Sequence, residues 1–266
     1  MVISEKCREL REKLGENAHE AAWIMEHITG IRYAISDDRE LTAAEFAMAD
    51  SILTRRKSGE PLQYILGDTE FMGMRFIVNR HTLIPRQDTE TLVETAVSKI
   101  GDKPLRVLDI GTGSGCVGIS IARLCKNAKV TLLDISKDAL FIAQENARLN
   151  DVEVGIIQCD ILHEMPDGGY DMIVSNPPYI ETAVLKTLDS VVKDHEPSAA
   201  LDGGEDGLVF YRRIARIFAD IPVIAFEIGY DQGSAVSDIL RGAGYERVSV
   251  IKDLCGNDRV VVAEKN

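Results

Sequence analysis

The sequence predicts an α/β protein with a mostly parallel sheet, preceded by a small helical bundle and a linking β-hairpin. Three observations carry this prediction. Apolar residues recur at helical spacing up to residue 60, β-branched and aromatic residues form short runs over 61–86, and short apolar runs alternate with amphipathic helices over 87–266. This alternation is typical of a parallel sheet with helices on both faces. We therefore expect three parts with boundaries after residues 60 and 86.

Apolar periodicity and stop signals place the individual elements. Three helices are expected before residue 60, and they end near glycines 15, 30 and 59. The third begins with a capping box formed by Thr42 and Glu45. Strands are expected at 105–110, 129–134, 152–158, 170–175, 222–228, 246–252 and 259–263, and helices at 92–100, 115–125, 137–149, 207–219 and 231–243. Because a short turn joins the last two strands, they should pair antiparallel.

Composition and charge narrow the class of protein. The chain carries 30 Lys and Arg against 43 Asp and Glu, and this net charge of −13 argues against long runs of nucleic-acid phosphate as a partner. It has neither an apolar run long enough to span a membrane nor the features of a signal peptide, so we expect a cytoplasmic protein without membrane contact. We also expect a monomer. The five cysteines are scattered, which predicts free thiols and no metal site.

A glycine-rich loop, residues 111–115 (GTGSG), joins the first strand of the sheet to a helix. Glycines let a ligand approach the backbone closely, and a helix N-terminus presents free N–H groups. The glycine spacing also fits the dinucleotide fingerprint, with Asp134 at the required distance, so an NAD-dependent oxidoreductase is one alternative. Asp109, just before the loop, would repel a pyrophosphate, whereas a cationic ligand such as S-adenosylmethionine tolerates a carboxylate there.

Further candidates for cofactor contacts lie where the next strands end. Asp134 ends the second strand and would accept protons from ribose hydroxyls. Asp160 follows the third strand, where it either caps a turn or accepts from an adenine amino group, with Ile161 beside the ring. The expected cofactor-binding residues are Asp109, Gly111, Thr112, Gly113, Ser114, Gly115, Asp134, Asp160, Ile161 and Asn176.

The tetrapeptide Asn176-Pro177-Pro178-Tyr179 follows the fourth strand and carries the most specific chemistry. Its two prolines end the strand and form a rigid corner. The Asn176 side-chain oxygen and a backbone carbonyl of the corner can accept both protons of a planar –NH₂ group, on which Tyr179 can stack. These acceptors stabilise the positive charge that develops when the nitrogen of this –NH₂ group attacks a methyl group. Asn176, Pro177 and Tyr179 are thus the catalytic candidates, and all four residues are candidates for binding substrate.

Together these motifs resemble the class I S-adenosylmethionine-dependent methyltransferases with their Rossmann-like sheet. The segments PLQYILG, LIPRQDTE, HEPSAALDGGEDGL and FEIG narrow the resemblance, over most of residues 61–264, to the PrmC (HemK) family of protein-(glutamine) methyltransferases. That resemblance implies methyl transfer, with S-adenosylhomocysteine as product, to the glutamine of the Gly-Gly-Gln motif in class I peptide chain release factors. Gln87 and Ile161 depart from the family pattern, and Arg86 either reaches a ligand or forms a surface ion pair.

The helical domain is the candidate for holding the release factor, because one glutamine on an exposed loop gives little selectivity. Three other functions compete with this one besides the NAD enzyme. A methyltransferase of adenine amino groups in nucleic acid shares the motifs but needs a basic groove. A glutamine methyltransferase of a ribosomal protein differs only in its substrate. A binding module without activity leaves the complete cofactor site unexplained.

Overall fold

The computed structural model describes residues 1–32 and 37–265. The chain divides into two compact units, Met1–Gly67 and Asp68–Asn266. The first unit is helical, and its helices are α1 (Ile3–Leu14), α2 (Glu20–Thr29), α3 (Ala43–Lys57) and α4 (Leu62–Leu66). The capping box that starts α3 is confirmed, since Thr42 Oγ1 accepts from the Glu45 amide at 3.2 Å and Glu45 Oε2 accepts from the Thr42 amide at 2.8 Å.

The predicted hairpin is present but shorter than expected. It consists of β1 (Asp68–Phe71) and β2 (Met74–Ile77), which pair antiparallel. Met72 and Gly73 form the turn, and both have positive φ angles (51° and 68°), as a two-residue type I′ turn requires. The expectation of strands in the residues before it is wrong, because they form α4, which starts after Pro61 and ends at the left-handed Gly67.

The second unit is built on a seven-stranded sheet. Its remaining elements are α5 (Glu90–Ile100), β3 (Arg106–Ile110), α6 (Cys116–Leu124), β4 (Lys129–Asp134), α7 (Lys137–Leu149), β5 (Gly155–Gln158), β6 (Met172–Ser175), α8 (Ser190–His195), α9 (Val209–Ile217), β7 (Val223–Glu227), α10 (Gly233–Gly242), β8 (Arg247–Lys252) and β9 (Asp258–Glu264). The strand order is β5-β4-β3-β6-β7-β9-β8. The first five strands of that order are parallel, and β9 is antiparallel to both its neighbours, so the mostly parallel sheet and the antiparallel last pair are confirmed.

Successive residues of the central strands pack into two different cores. Val107 and Val174 belong to the core formed with α5, α6 and α7, whereas Leu108 and Ile173 belong to the core formed with α9 and α10. This two-sided burial explains why the strands have continuous apolar sequences. β3 has β4 on one side and β6 on the other, because the chain runs outward from β3 through β4 to β5 and then crosses back to β6. This reversal of strand order leaves a crevice at the carboxyl ends of β3 and β6. Within the described ranges, every helix is too short or too polar to cross a membrane.

Candidate active site

A cavity of about 570 Å³ lies at the carboxyl ends of β3, β4, β5 and β6. This volume is within the range of about 300–1,000 Å³ that small-molecule sites occupy. The sequence-predicted residues that line it are Gly111, Gly113, Asp134, Asp160, Ile161, Asn176, Pro177 and Pro178. We call the part formed by Gly111, Gly113 and Asp134 the β3–β4 side. The part formed by Asn176 and the residues packed beneath it is the β6–β7 side.

Asp134 is the central acid of the β3–β4 side. Its two carboxylate oxygens accept from the backbone amides of Gly113 and Ser136, each at 2.9 Å. Burial raises the pKa of this carboxyl group, and these hydrogen bonds act in the opposite direction. A carboxylate oxygen keeps acceptor capacity after one such bond. A Cβ added to Gly113 would meet no atom within 4 Å, so the space above the loop is open to a ligand.

Four other residues predicted to contact a cofactor, Asp109, Thr112, Ser114 and Gly115, do not line the cavity. Asp109 is 1% exposed, and its Oδ2 accepts from Thr112 Oγ1 at 2.5 Å and from the Gly118 amide at 3.0 Å. Burial raises the pKa of Asp109 to about 6. The geometry therefore assigns Asp109 and Thr112 to the support of the loop, and a direct contact of any of the four residues with a cofactor stays a prediction.

The glycine spacing has a packing reason as well as a binding one. A Cβ on Gly118 would lie 2.3 Å from Leu132 Cδ2 and 3.0 Å from Asp109 Oδ2, so α6 can approach β4 only through a glycine. A Cβ on Gly115 would lie 2.7 Å from Ile119 Cδ1. The match to the dinucleotide fingerprint thus reflects close packing of helix on sheet, which methyl-transferring and NAD-binding sheets can share.

Asp160 caps a turn and lines the cavity at the same time. Its Oδ1 accepts from the Leu162 amide at 3.0 Å, and its Oδ2 lies 2.7 Å from His163 Nδ1. The hydrogen bond from His163 lowers the pKa of Asp160. Ile161 beside it is 6% exposed and contributes apolar surface to the cavity. The two readings of Asp160 left open by the sequence are therefore compatible.

The proline corner lies next to the glycine loop, because the strands that precede them are neighbours in the sheet. β6 pairs with β3, and Ser175 Oγ donates to the Ile110 carbonyl at 2.6 Å. A Cβ on Gly111 would come within 4.0 Å of the Asn176 carbonyl oxygen. Tyr179 does not line the cavity; its carbonyl accepts from Gln232 Nε2 at 3.0 Å, and burial raises the pKa of its phenol to about 12. Its stacking on a substrate stays a prediction.

Two buried residues beneath this corner, Thr89 and Glu227, were missed by sequence reasoning. Thr89 Oγ1 accepts from Asn176 Nδ2 at 3.3 Å. Glu227, the last residue of β7, is 2% exposed, and burial raises its pKa to about 7. Its Oε2 atom has no hydrogen-bond partner among the described residues. Glu227 belongs to the FEIG segment, where an acid at the end of a buried apolar strand was the available signal.

Asn146 is a third missed residue, and it supports the glycine loop. It is fully buried in α7, and its Oδ1 accepts from the Ile77 amide at 2.6 Å. Its Nδ2 donates to the carbonyls of Ile77 (2.9 Å) and Ser114 (2.8 Å). An asparagine within an amphipathic helix is unfavourable by propensity and was the signal for this role.

Arg86 forms an ion pair with Glu196, whose side chain is 2% exposed.

Comparisons with known proteins show the family and the fold that this chain resembles. Residues 87–210 match the family model described as methyltransferase small domain, and residues 2–67 match the PrmC N-terminal domain. The release factor glutamine methyltransferase of Agrobacterium fabrum is 38% identical over 91% of this chain and 88% of its own length. The one from Fusobacterium nucleatum is 42% identical over 81% of this chain, but the match spans only 63% of that longer protein. A methyltransferase from Pyrococcus furiosus has the same fold, with a TM-score of 0.55 at 18% identity over 85% of this chain and all of that one.

Proposed function

Because this chain belongs to the release factor glutamine methyltransferase family, we propose that it methylates the side-chain amide nitrogen of the glutamine in the Gly-Gly-Gln motif of class I peptide chain release factors. The enzyme class, a protein-glutamine methyltransferase that uses S-adenosylmethionine, follows from family membership. The observation that carries the finer proposal is that Asn176 and the proline corner line the same cavity as Gly113 and Asp134.

The β3–β4 side has the chemistry to hold S-adenosylmethionine, which supplies a methyl group on a cationic sulfur. Asp134 is fixed by backbone amides and can still accept from two ribose hydroxyls. Ile161 offers an apolar surface for adenine, and Asp160 can accept from its amino group. The carboxylates of the lining favour a cationic ligand over a pyrophosphate.

The β6–β7 side has the chemistry to hold the glutamine amide. An amide nitrogen is a poor nucleophile, because its lone pair is delocalised. Asn176 Oδ1 and a backbone carbonyl at Pro177 can accept its two protons, favour the pyramidal form and stabilise the positive charge that grows on the nitrogen. No general base is required, since the N-methylated, protonated amide is acidic enough to lose its proton to water.

We assign recognition of the release factor body to the helical domain, residues 1–60, and methyl transfer to the domain over 87–266. Residues 61–86, which contain α4 and the hairpin, join these two ranges in the sequence. The enzyme would act as a cytoplasmic monomer without direct contact with nucleic acid. Deletion of residues 1–60 should impair transfer to the protein substrate more than it impairs cofactor binding. Equal losses of both would reject this assignment of roles.

The decisive experiment measures transfer of labelled methyl from S-adenosylmethionine to purified release factor, with ribosomal protein, duplex DNA and ribosomal RNA in parallel reactions. The expected result is label on the release factor, and its loss when the glutamine of the Gly-Gly-Gln loop is replaced. Label on the ribosomal protein or on nucleic acid instead would be consistent with the chemistry proposed for the proline corner but would reject release factor as the substrate.

A further inference from the structure

A group of buried polar side chains beneath Asn176 has no part in the chemistry described above. Thr89 and Glu227 are both 2% exposed, and they reach this point from the start of α5 and the end of β7. In the pairing of β6 with β7, Ser175 lies opposite Phe226, so that Asn176 and Glu227 follow next to each other along the two strands. The sheet register thus places a buried acid beside the proposed acceptor of the substrate amide.

The Glu227 carboxyl lies beside the hydrogen bond between Asn176 and Thr89. Asn176 Nδ2 donates to Thr89 Oγ1, and hydrogen bonding from both of these side chains lowers the pKa of Glu227 against the larger, raising effect of burial. Thr89 has helical dihedral angles where the 3₁₀ turn Gln87–Thr89 continues into α5, and its hydroxyl makes no capping bond to the helix backbone. The hydroxyl therefore accepts from Asn176 and lies next to Glu227.

The chemistry of these groups gives the hydrogen bonds one direction. Thr89 Oγ1 accepts from Asn176 Nδ2 with a lone pair, so its single proton remains for the neighbouring Glu227 carboxylate, which can only accept. The amide of Asn176 must therefore turn Nδ2 towards this pair. Its Oδ1, on the other branch of the planar amide, is left for the cavity that Asn176 lines.

We propose that Glu227 and Thr89 are positioning residues that hold the Asn176 amide with its oxygen, rather than its –NH₂ group, towards the substrate amide. This inference rests on the function proposed above. In the flipped state two –NH₂ groups would face each other and the acceptor would be lost. A protonated Glu227 can donate to Thr89, which can then donate to Asn176 Oδ1, so protonation favours the flipped state.

The protonation of Glu227 depends on charges from several elements. Arg259 on β9 favours the carboxylate, and Asp88, in the turn before α5, opposes it. The other titratable groups near it, from the proline corner, α9 and α6, are Tyr179, Tyr211 and Cys116, whose pKa values are all raised by burial. The resulting pKa of Glu227 is about 7, which predicts that methyl transfer rises as the pH increases through neutrality.

The first test compares Glu227→Gln with the wild type in methyl transfer to release factor across the neutral pH range. At alkaline pH, kcat of the variant should fall by on the order of 10²-fold, because glutamine can donate as well as accept. The KM for release factor and the Kd for cofactor should stay within a few fold, and the rise of kcat near pH 7 should disappear. Glu264→Gln is the matched control, since Glu264 pairs with Lys99 at the opposite end of the sheet and should leave both rate and pH profile unchanged.

The second test uses Thr89→Ser and Thr89→Val, which keep and remove the hydroxyl, and it stands even if Glu227→Gln does not fold. The serine variant should retain most of kcat, whereas the valine variant should lose it without a change in cofactor affinity. Equal rates in the two Thr89 variants, or a wild-type rate and pH profile in Glu227→Gln, would overturn the inference while the proposed function stands. A wild-type enzyme that does not methylate the loop glutamine would instead overturn the proposed function.

Discussion

The two sides of the cavity hold their acids by different means. On the β3–β4 side, Asp134 is fixed by the backbone amides of Gly113 and Ser136. On the β6–β7 side, Glu227 is buried among side chains, and its Oε2 is without a partner in the described part of the chain. Backbone donors are present whatever the side chains are, whereas side-chain partners depend on specific residues. The β6–β7 side should therefore be the more sensitive of the two to conservative substitution.

Asn176→Ala should have the largest effect and would test the β6–β7 side directly. It removes one of the two acceptors for the substrate amide, and the loss of one such group costs on the order of 10²–10³-fold in kcat. Cofactor affinity, measured by titration calorimetry, should stay within a few fold. Asn127→Ala, which removes an exposed asparagine bonded to the Asp102 carbonyl, is the control. A rate near that of the wild type would show that the two-acceptor mechanism is wrong.

Glu227→Gln should change stability in the direction opposite to activity. The pKa of Glu227 is raised by burial from 4.5 to about 7, so its contribution to stability is complete below about pH 4.5 and is lost as the pH rises to about 7. The wild type should then lose on the order of 3 kcal/mol relative to the variant over this interval. Denaturant unfolding at several pH values measures this difference. Parallel pH dependence in the two proteins would mean that Glu227 is not buried as a neutral acid.

Asp134→Ala sharpens the comparison from the β3–β4 side. Loss of a charged acceptor costs about 1.5–3 kcal/mol, so the cofactor Kd should rise by roughly 10–100-fold. At saturating cofactor, kcat should change much less than in Asn176→Ala, because Asp134 does not touch the substrate amide. Asp138→Ala, at a carboxylate whose side chain is 71% exposed on α7, serves as the control. An unchanged Kd would remove Asp134 from the cofactor site.

Gly118→Ala should have the smallest effect, confined to packing beneath the glycine loop. The new Cβ would lie 2.3 Å from Leu132 Cδ2, so the helix must shift from the sheet, and overpacking of this kind costs about 1–3 kcal/mol. Thermal unfolding should show a lower Tm. Gly242→Ala, where a Cβ meets nothing within 4 Å, should leave stability unchanged or slightly increased. A Tm for Gly118→Ala equal to that of Gly242→Ala would contradict the packing role.

Local patterns by themselves determined the type and order of nearly all elements. Apolar periodicity and glycine or proline stops act within a few residues, so they placed α1, β3, β6 and the antiparallel β8–β9 pair. α4 and α8 were missed because five or six residues are too few to show a helical period. The sequence also predicted that Asp134 and Asn176 lie at the same edge of the sheet, because the carboxyl ends of parallel strands converge there.

Only the tertiary structure decided which side chains meet at that edge. Thr89 lies 87 positions before Asn176, and Glu227 ends a different strand, yet both lie buried beside Asn176. Asp109 turns beneath the loop towards Thr112 and Gly118 rather than into the cavity. The direction of a side chain at a strand end depends on pleat and register, and these are fixed by pairing with distant strands. Local sequence therefore identified the chemistry of this protein, and the sheet register decided how its residues are oriented.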